Sequence, residues 1–160
     1  MIAISRASPA DAEQLEPLFL GLRTFSRAGH GPQPDDLEPV LEASRSYLHT
    51  VLARGDEART LLAHTPDGRL GGYLVATLEE PNPLTTSGAV LVGVIDELFI
   101  ADHARGQGVG GALMDAAFDW FRSMGAARAS VGAYAWNDDA ITFYQRHGMQ
   151  PWLMTLRREL

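Results

Sequence analysis

Cysteine is absent from this 160-residue chain, and so is lysine. Without cysteine there are no disulfides, no zinc–thiolate or iron–sulfur sites, and no thiol nucleophile. Without lysine there is neither a Walker A phosphate loop nor Schiff-base chemistry. All 13 basic residues are arginine, as a genome rich in G and C would produce. Positive charge is scarce overall. The net charge of −7 argues against nucleic acid as a partner and suits a cationic ligand. No apolar run approaches the length of a membrane span, and Met1 to Ser8 is no basic leader before an apolar stretch. The expectation is a cytoplasmic protein with no membrane partner. The five histidines include no i, i+4 pair, so no metal site is expected. No G-x-S-x-G elbow occurs, which weakens a serine-hydrolase reading.

Apolar residues make up 46% and charged residues 21%, ordinary globular usage for a chain long enough to bury its own core. No linker or repeat divides it, so residues 1–160 read as a single domain. Met1 to Arg6 reads as a strand. Ser8-Pro9-Ala10-Asp11 reads as a helix start, followed by an apolar stripe of Leu15, Leu18, Phe19 and Leu22. Gly29 to Pro39 is rich in breakers and reads as a loop, and Val40 to Arg54 as a second helix. Arg59 to His64 and Leu70 to Glu79 flank the turn Thr65-Pro66-Asp67-Gly68 as a hairpin. After a polar loop from Pro81 to Gly88, Ala89 to Ile100 reads as a buried strand. Helix Gly108 to Met124, strand Ala127 to Ala135, helix Asp138 to His147 and a last strand, Gln150 to Arg158, complete the chain. The fold class is therefore α/β with a mixed sheet: strand, two helices, three strands, helix, strand, helix, strand. Trp120, Trp136 and Trp152 read as packing residues.

The most informative segment is Asp96 to Gly111. A buried strand leads through a short connection into Arg105-Gly106-Gln107-Gly108-Val109-Gly110-Gly111, where a helix begins. Glycines let consecutive N–H groups line one concavity, and the helix start adds unpaired donors and a positive dipole end. Such a turn can hold a pyrophosphate, with Arg105 at its rim. It can also serve only for close helix packing. Gly106, Gly108 and Gly111 satisfy G-x-G-x-x-G as well. For a dinucleotide fold, however, that signature should follow its strand directly and meet an acidic residue about twenty positions on. Here Ala101 to Arg105 intervene, and Asp138 and Asp139 come too late.

These residues resemble the GNAT family of N-acetyltransferases, whose central motif is a strand followed by Arg/Gln-x-x-Gly-x-Gly/Ala. A second family element, Asn-x-x-Ala-x-x-Phe-Tyr-x-x-x-Gly-Phe, is similar to Asn137, Ala140, Phe143, Tyr144 and Gly148, with Met149 in the last place. Asp102 stands where the family commonly has proline, and Ala104 where an aromatic is common.

The resemblance implies transfer of an acetyl group from acetyl-CoA to a primary amine, directly and through a tetrahedral intermediate, with no enzyme nucleophile and no metal. It implies a bulge in the strand carrying Leu98, Phe99 and Ile100, whose freed backbone groups would bond the pantetheine amides. Arg105, Gly106, Gln107, Gly108, Val109, Gly110 and Gly111 would cradle the pyrophosphate. Asn137 would bond the pantetheine arm or cap the following helix. Tyr144 matches the family's general acid, or packs beside Phe143. An amine is mostly protonated at neutral pH, so a base is needed. Glu97, at the expected bulge, is the candidate, its alternative being a structural carboxylate bonded to backbone or an arginine. Asp96 is expected on the opposite sheet face and is next in line, followed by bulk solvent.

The acceptor, a small-molecule or peptide amine, is not specified. Asp35, Asp36, Glu38, Glu79 and Glu80 could favour a cationic one, or be a solvated face. A homodimer is admitted as the assembly. Two other functions remain in view: a non-catalytic CoA-binding or sensor domain, and a nucleotide-dependent oxidoreductase.

Overall fold

The computed structural model describes residues 1–28, 36–84 and 89–158. The elements are β1 (Ala3–Arg6), α1 (Ala12–Ala28), α2 (Glu38–Ala53), β2 (Ala58–His64), β3 (Leu70–Glu79), β4 (Val92–Ile100), α3 (Val109–Ser123), β5 (Arg128–Val131) and α4 (Asp138–Arg146). The sheet order is β1-β2-β3-β4-β5; neighbours are antiparallel except β4 and β5, which are parallel.

Alternation along the strands builds two cores. On one face Leu61, Ala63, Leu74, Ala76 and Ile95 meet the buried stripe of α3, Leu113, Met114, Ala117, Trp120 and Phe121. On the other face Leu62, Tyr73 and Val75 meet Leu15 and Phe19 of α1 and Leu48, Val51 and Leu52 of α2. Phe19 stacks on Tyr73 with centroids 4.4 Å apart, fixing α1 over the middle of β3. The expected start residues form a 3-10 turn at Pro9–Asp11 that leads into α1, closed by a capping box in which Asp11 reaches back to accept the Ser8 N–H at 2.7 Å. Its bonds to the Ser8 backbone and hydroxyl hold the Asp11 carboxyl below the ordinary value.

Two sequence expectations are corrected. The strand expected over Ala127 to Ala135 ends at Val131, because β5 pairs with β4 only from Val92↔Arg128 to Ile95↔Val131. The sixth strand expected over Gln150 to Arg158 does not form. A strand needs a neighbour for its N–H and C=O groups, and this segment does not lie against the edge of its own β5. It stands clear of the fold, with Trp152 80% and Leu156 85% exposed. The Gly29 to Pro39 loop falls largely outside the described residues.

Candidate active site

The site begins with one extra residue. Pairing between β3 and β4 runs Tyr73↔Phe99, Leu74↔Leu98 and Val75↔Glu97, then jumps to Ala76↔Ile95. Asp96 is left without a partner, which is a β-bulge. The strand bends there, and beyond Ile95 and Val131 β4 and β5 are no longer paired. A cleft of about 870 Å³ opens at this parting. Leu98, Phe99 and Ile100 line one wall, and Val131 to Tyr134 with Asn137, Phe143 and Tyr144 line the other.

The bulge also cancels strict alternation. Glu97 shares the face of Val75, toward α1 and α2, while Asp96 accepts the hydroxyl of Thr77 at 2.7 Å. Thr77 is two residues from Val75 on the same face. Asp96 therefore lies on the same side as Glu97, not on the opposite one. Tyr47 of α2 registers both: burial first, then the charges of Glu97 and Asp96, push its phenol upward.

Glu97 is 7% exposed. One carboxylate oxygen is paired with the Arg23 guanidinium, and the other accepts the Tyr73 hydroxyl at 2.8 Å. Burial, with the Glu97 charge next, pushes the Tyr73 phenol well above its ordinary value. Arg23 also donates to the Ser44 hydroxyl at 3.0 Å and lies 5.7 Å from the centre of the Tyr47 ring. One guanidinium thus ties α1, α2 and the bulge together. Of the two readings of Glu97, the geometry matches the structural carboxylate. Asp96 is more open, and burial raises its carboxyl above the ordinary value although the Thr77 bond opposes the shift.

Below the cleft, the connection from β4 makes a 3-10 turn at Asp102–Ala104 and then the glycine turn. Gly106 and Gly108 have φ of +73° and +83°, conformations that disfavour a side chain. Nothing lies within 4 Å of where their Cβ atoms would be. The space above them is open, and glycine is there for backbone shape rather than for crowding. The first helical bond runs from Ala112 N–H to the Gly108 carbonyl at 3.0 Å, so the donors of Val109, Gly110 and Gly111 have no acceptor within α3. Gly110 answers a different demand: a Cβ there would lie 3.0 Å from the Phe143 ring, so its absence lets α4 close on α3. Arg105 is exposed and paired with Asp102 at 2.9 Å. Gln107 donates to the His103 carbonyl at 2.7 Å, which braces the turn.

Asn137 accepts the Ala140 N–H at 3.2 Å and so caps α4. Tyr144, two turns on, lines the cleft with its ring edge-on to Phe143. Burial pushes its phenol up to about 12, keeping the hydroxyl protonated at any physiological pH. His147 is bonded through Nδ1 to the Phe143 carbonyl at 2.8 Å and serves the helix end.

Sequence reasoning missed an aromatic rim. Trp136, read as packing, is 42% exposed, stacks on Tyr134 at 5.6 Å and meets Phe25 of α1 at 5.8 Å. Phe25 and Tyr134 line the cleft mouth. No periodicity marks these rings, because two of them sit in the irregular connection after β5. Two of the five acidic residues offered as an attraction for cations are engaged elsewhere. Glu38 is paired with Arg45 and Asp36 caps the Glu38 N–H. Asp35 lies outside the described residues. Among the described residues no cluster could hold a metal ion, and no helix is long and apolar enough to cross a membrane.

Comparison with known proteins agrees with this geometry. The model of the acetyltransferase (GNAT) family matches residues 23–149. The uncharacterised N-acetyltransferase YhfO of Bacillus subtilis strain 168 is 25% identical over 147 residues, 92% of this chain and 89% of that protein. A point mutant of the BH1408 protein from Bacillus halodurans superposes with a TM-score of 0.85 at 22% identity over 99% of both chains. A ribosomal-protein-alanine N-acetyltransferase from Brucella melitensis superposes at 0.69 and 21% identity, again over 99% of both chains. At these identities the two structures speak to the fold alone.

Proposed function

The chain belongs to the GNAT acetyltransferase family, and from that premise we propose that it moves an acetyl group from acetyl-CoA to a primary amine. One observation carries the reading. The parting of β4 from β5 stands over an open glycine turn, with carboxylates on one wall and a half-buried, protonated phenol on the other.

The residues present fit the co-substrate. An open concavity over Gly106 and Gly108, beside unpaired donors at the start of α3, suits a diphosphate. Backbone groups of Leu98, Phe99 and Ile100, released from β5, suit an extended amide chain. When bound, the thioester supplies an activated acyl carbon and a thiolate leaving group. The chain contributes the proton management. In this reading the Asp96 carboxylate, rather than Glu97, accepts the proton of the incoming ammonium, which the engagement of both Glu97 oxygens by Arg23 and Tyr73 supports. The Tyr144 hydroxyl holds the proton that the departing sulfur takes up. Asn137 holds the helix that aims Tyr144. The rim of Phe25, Tyr134 and Trp136 gives the acceptor an apolar shelf and favours an amine on an apolar or planar body over a polyamine.

Two measurements test this. Thermal shift against CoA, acetyl-CoA, NAD and NADP should show stabilisation by the first two only, growing with ligand concentration. Thiol release from acetyl-CoA, followed across a panel of amines, should identify a turned-over acceptor, and a chain without cysteine adds no background to a thiol reagent. Stabilisation by CoA with no turnover for any amine would favour the non-catalytic CoA-binding domain.

A further inference from the structure

We propose that the acceptor is an arylalkylamine, a primary amine on a short chain ending in a planar ring and bearing no carboxylate, and that Glu97 is the residue that excludes the carboxylate. The inference rests on the acetyl transfer proposed above and states which amine the site takes.

The charges lining the cleft divide between its two ends. Phe143, near the end of α4, sits over Gly110, so Arg146 stands with Arg105 at the end of the glycine turn. The other end is framed by α1, the bulge and the start of α4, and carries Arg23, Asp96, Glu97 and Asp139. Its single cation is already committed. Arg23 is paired with Glu97, donates through Nε to the Ser44 hydroxyl at 3.0 Å, and lies 5.7 Å from the centre of the Tyr47 ring. Yet 28% of its side chain is exposed, and it lines the cleft. It is the group that a carboxylate on the acceptor would seek.

Glu97 occupies it first. That carboxylate is buried, and its second oxygen is held by the Tyr73 hydroxyl at 2.8 Å, so it does not yield its place. An incoming carboxylate meets a neutralised guanidinium and two charges of its own sign, Asp96 and Asp139. An ammonium meets opposite charge in the same place. Selectivity of this kind is built from repulsion as well as attraction.

The rim describes the rest of the acceptor. Phe25, Tyr134 and Trp136 are 42%, 46% and 42% exposed, which leaves ring surface at the cleft mouth. Tyr134 and Trp136 lie nearly parallel, 9° apart, and Phe25 is inclined to Trp136 by 48°, so the rings form a corner. A flat ring meets such a corner by stacking on one wall and approaching the other with its edge. An aliphatic chain has no face or edge to offer.

The test compares matched amines, with thiol release from acetyl-CoA as the readout. For the wild type, kcat/KM for 2-phenylethylamine should exceed that for phenylalanine by about a hundredfold and that for propylamine by about tenfold. Phenylalanine amide, equally bulky and without the negative charge, should recover most of the rate. Parity between 2-phenylethylamine and phenylalanine, or a preference for propylamine, overturns the proposal with no variant needed. Glu97→Gln releases Arg23 and should raise the ratio of phenylalanine to 2-phenylethylamine by about tenfold; an unchanged ratio in a folded Glu97→Gln variant removes Glu97 from the role. Trp136→Ala should lower the ratio of 2-phenylethylamine to propylamine by about tenfold, and Trp136→Phe should keep it. Calorimetry of 2-phenylethylamine on the CoA-loaded protein reads the pocket apart from the reaction. Binding without turnover upholds the acceptor class and sinks the acetyl transfer. Turnover of other amines, with neither binding nor turnover of this one, upholds the transfer and sinks the acceptor class.

Discussion

Asp96 and Glu97 are neighbours in sequence and project from the same face of β4, because the bulge at Asp96 suspends the alternation of the strand. Two adjacent carboxylates are thereby given different environments. Glu97 is enclosed by Arg23 and Tyr73, and Asp96 is held at the cleft by one hydroxyl.

Asp96→Asn removes the proposed base while keeping the side chain's shape. We expect kcat to fall by about a hundredfold, within the range of one general base. In the wild type the acid limb of kcat/KM should lie above the ordinary carboxylate range, since burial raises this carboxyl. Stability should move the other way. A raised folded pKa favours folding while the group is protonated, and that contribution is lost as pH rises through the folded value. Asp96→Asn should therefore gain stability relative to wild type between about pH 4 and pH 7. Rate profiles and melting curves on the same samples check both halves, and an unchanged kcat would return the base role to solvent.

Tyr144→Phe keeps the packing against Phe143 and deletes the hydroxyl. The expected loss is about tenfold to a thousandfold in kcat, with cofactor affinity unchanged. With the phenol pushed up to about 12, the wild type should show no alkaline loss of this acid through pH 10. A limb at pH 9 that disappears in Tyr144→Phe would contradict the environment described.

Gly108→Glu sets a carboxylate over the glycine turn. Space is available for it, so the fold survives, at a cost of about 1–2 kcal/mol for a side chain in left-handed backbone. Binding of CoA should be abolished in calorimetry while circular dichroism stays native. Gly108→Ala is the control: it carries a similar strain without the charge and should retain most of the affinity.

Arg23→Ala leaves Glu97 enclosed without its cation. The pair is mostly buried, so stability should fall by roughly 3 kcal/mol at neutral pH. Much of that should return in Arg23→Ala/Glu97→Gln, which no longer buries a charge. If denaturant melts show the double variant no better than the single one, Arg23 acts through Ser44 and Tyr47 and not through Glu97.

The glycine turn and the asparagine before α4 were legible in sequence, because each is set by residues close in the chain, whereas the bulge in β4 was expected only from the family resemblance. Gly106 and Gly108 occur where left-handed backbone is needed, and Asn137 occurs where a cap is needed. The roles of Asp96 and Glu97 were not legible. A one-residue bulge reassigns faces without altering composition, and Arg23, which decides the environment of Glu97, lies 74 positions away. The rim of Phe25, Tyr134 and Trp136 joins a helix to a connection through contacts that leave no periodic trace. The strand expected over 150–158 was wrong, because alternation alone does not supply the neighbouring strand that its N–H and C=O groups need.

The half of the cleft formed by β5 and α4 contains no buried residue in its helix and none in its strand; four ladder pairs, the seat of Phe143 over Gly110 and the partly buried Val131, Tyr144 and Met149 hold it to the rest. Its local opening free energy is accordingly well below that of the two cores. Any molecule that bridges the cleft to this half contributes to its folding, so affinity and local order are one quantity measured in two ways. Under the proposed acetyl transfer, a donor that spans the gap would order the wall that carries Tyr144 before the acceptor arrives, so amide protection in β5 and α4 is expected to rise when CoA is added.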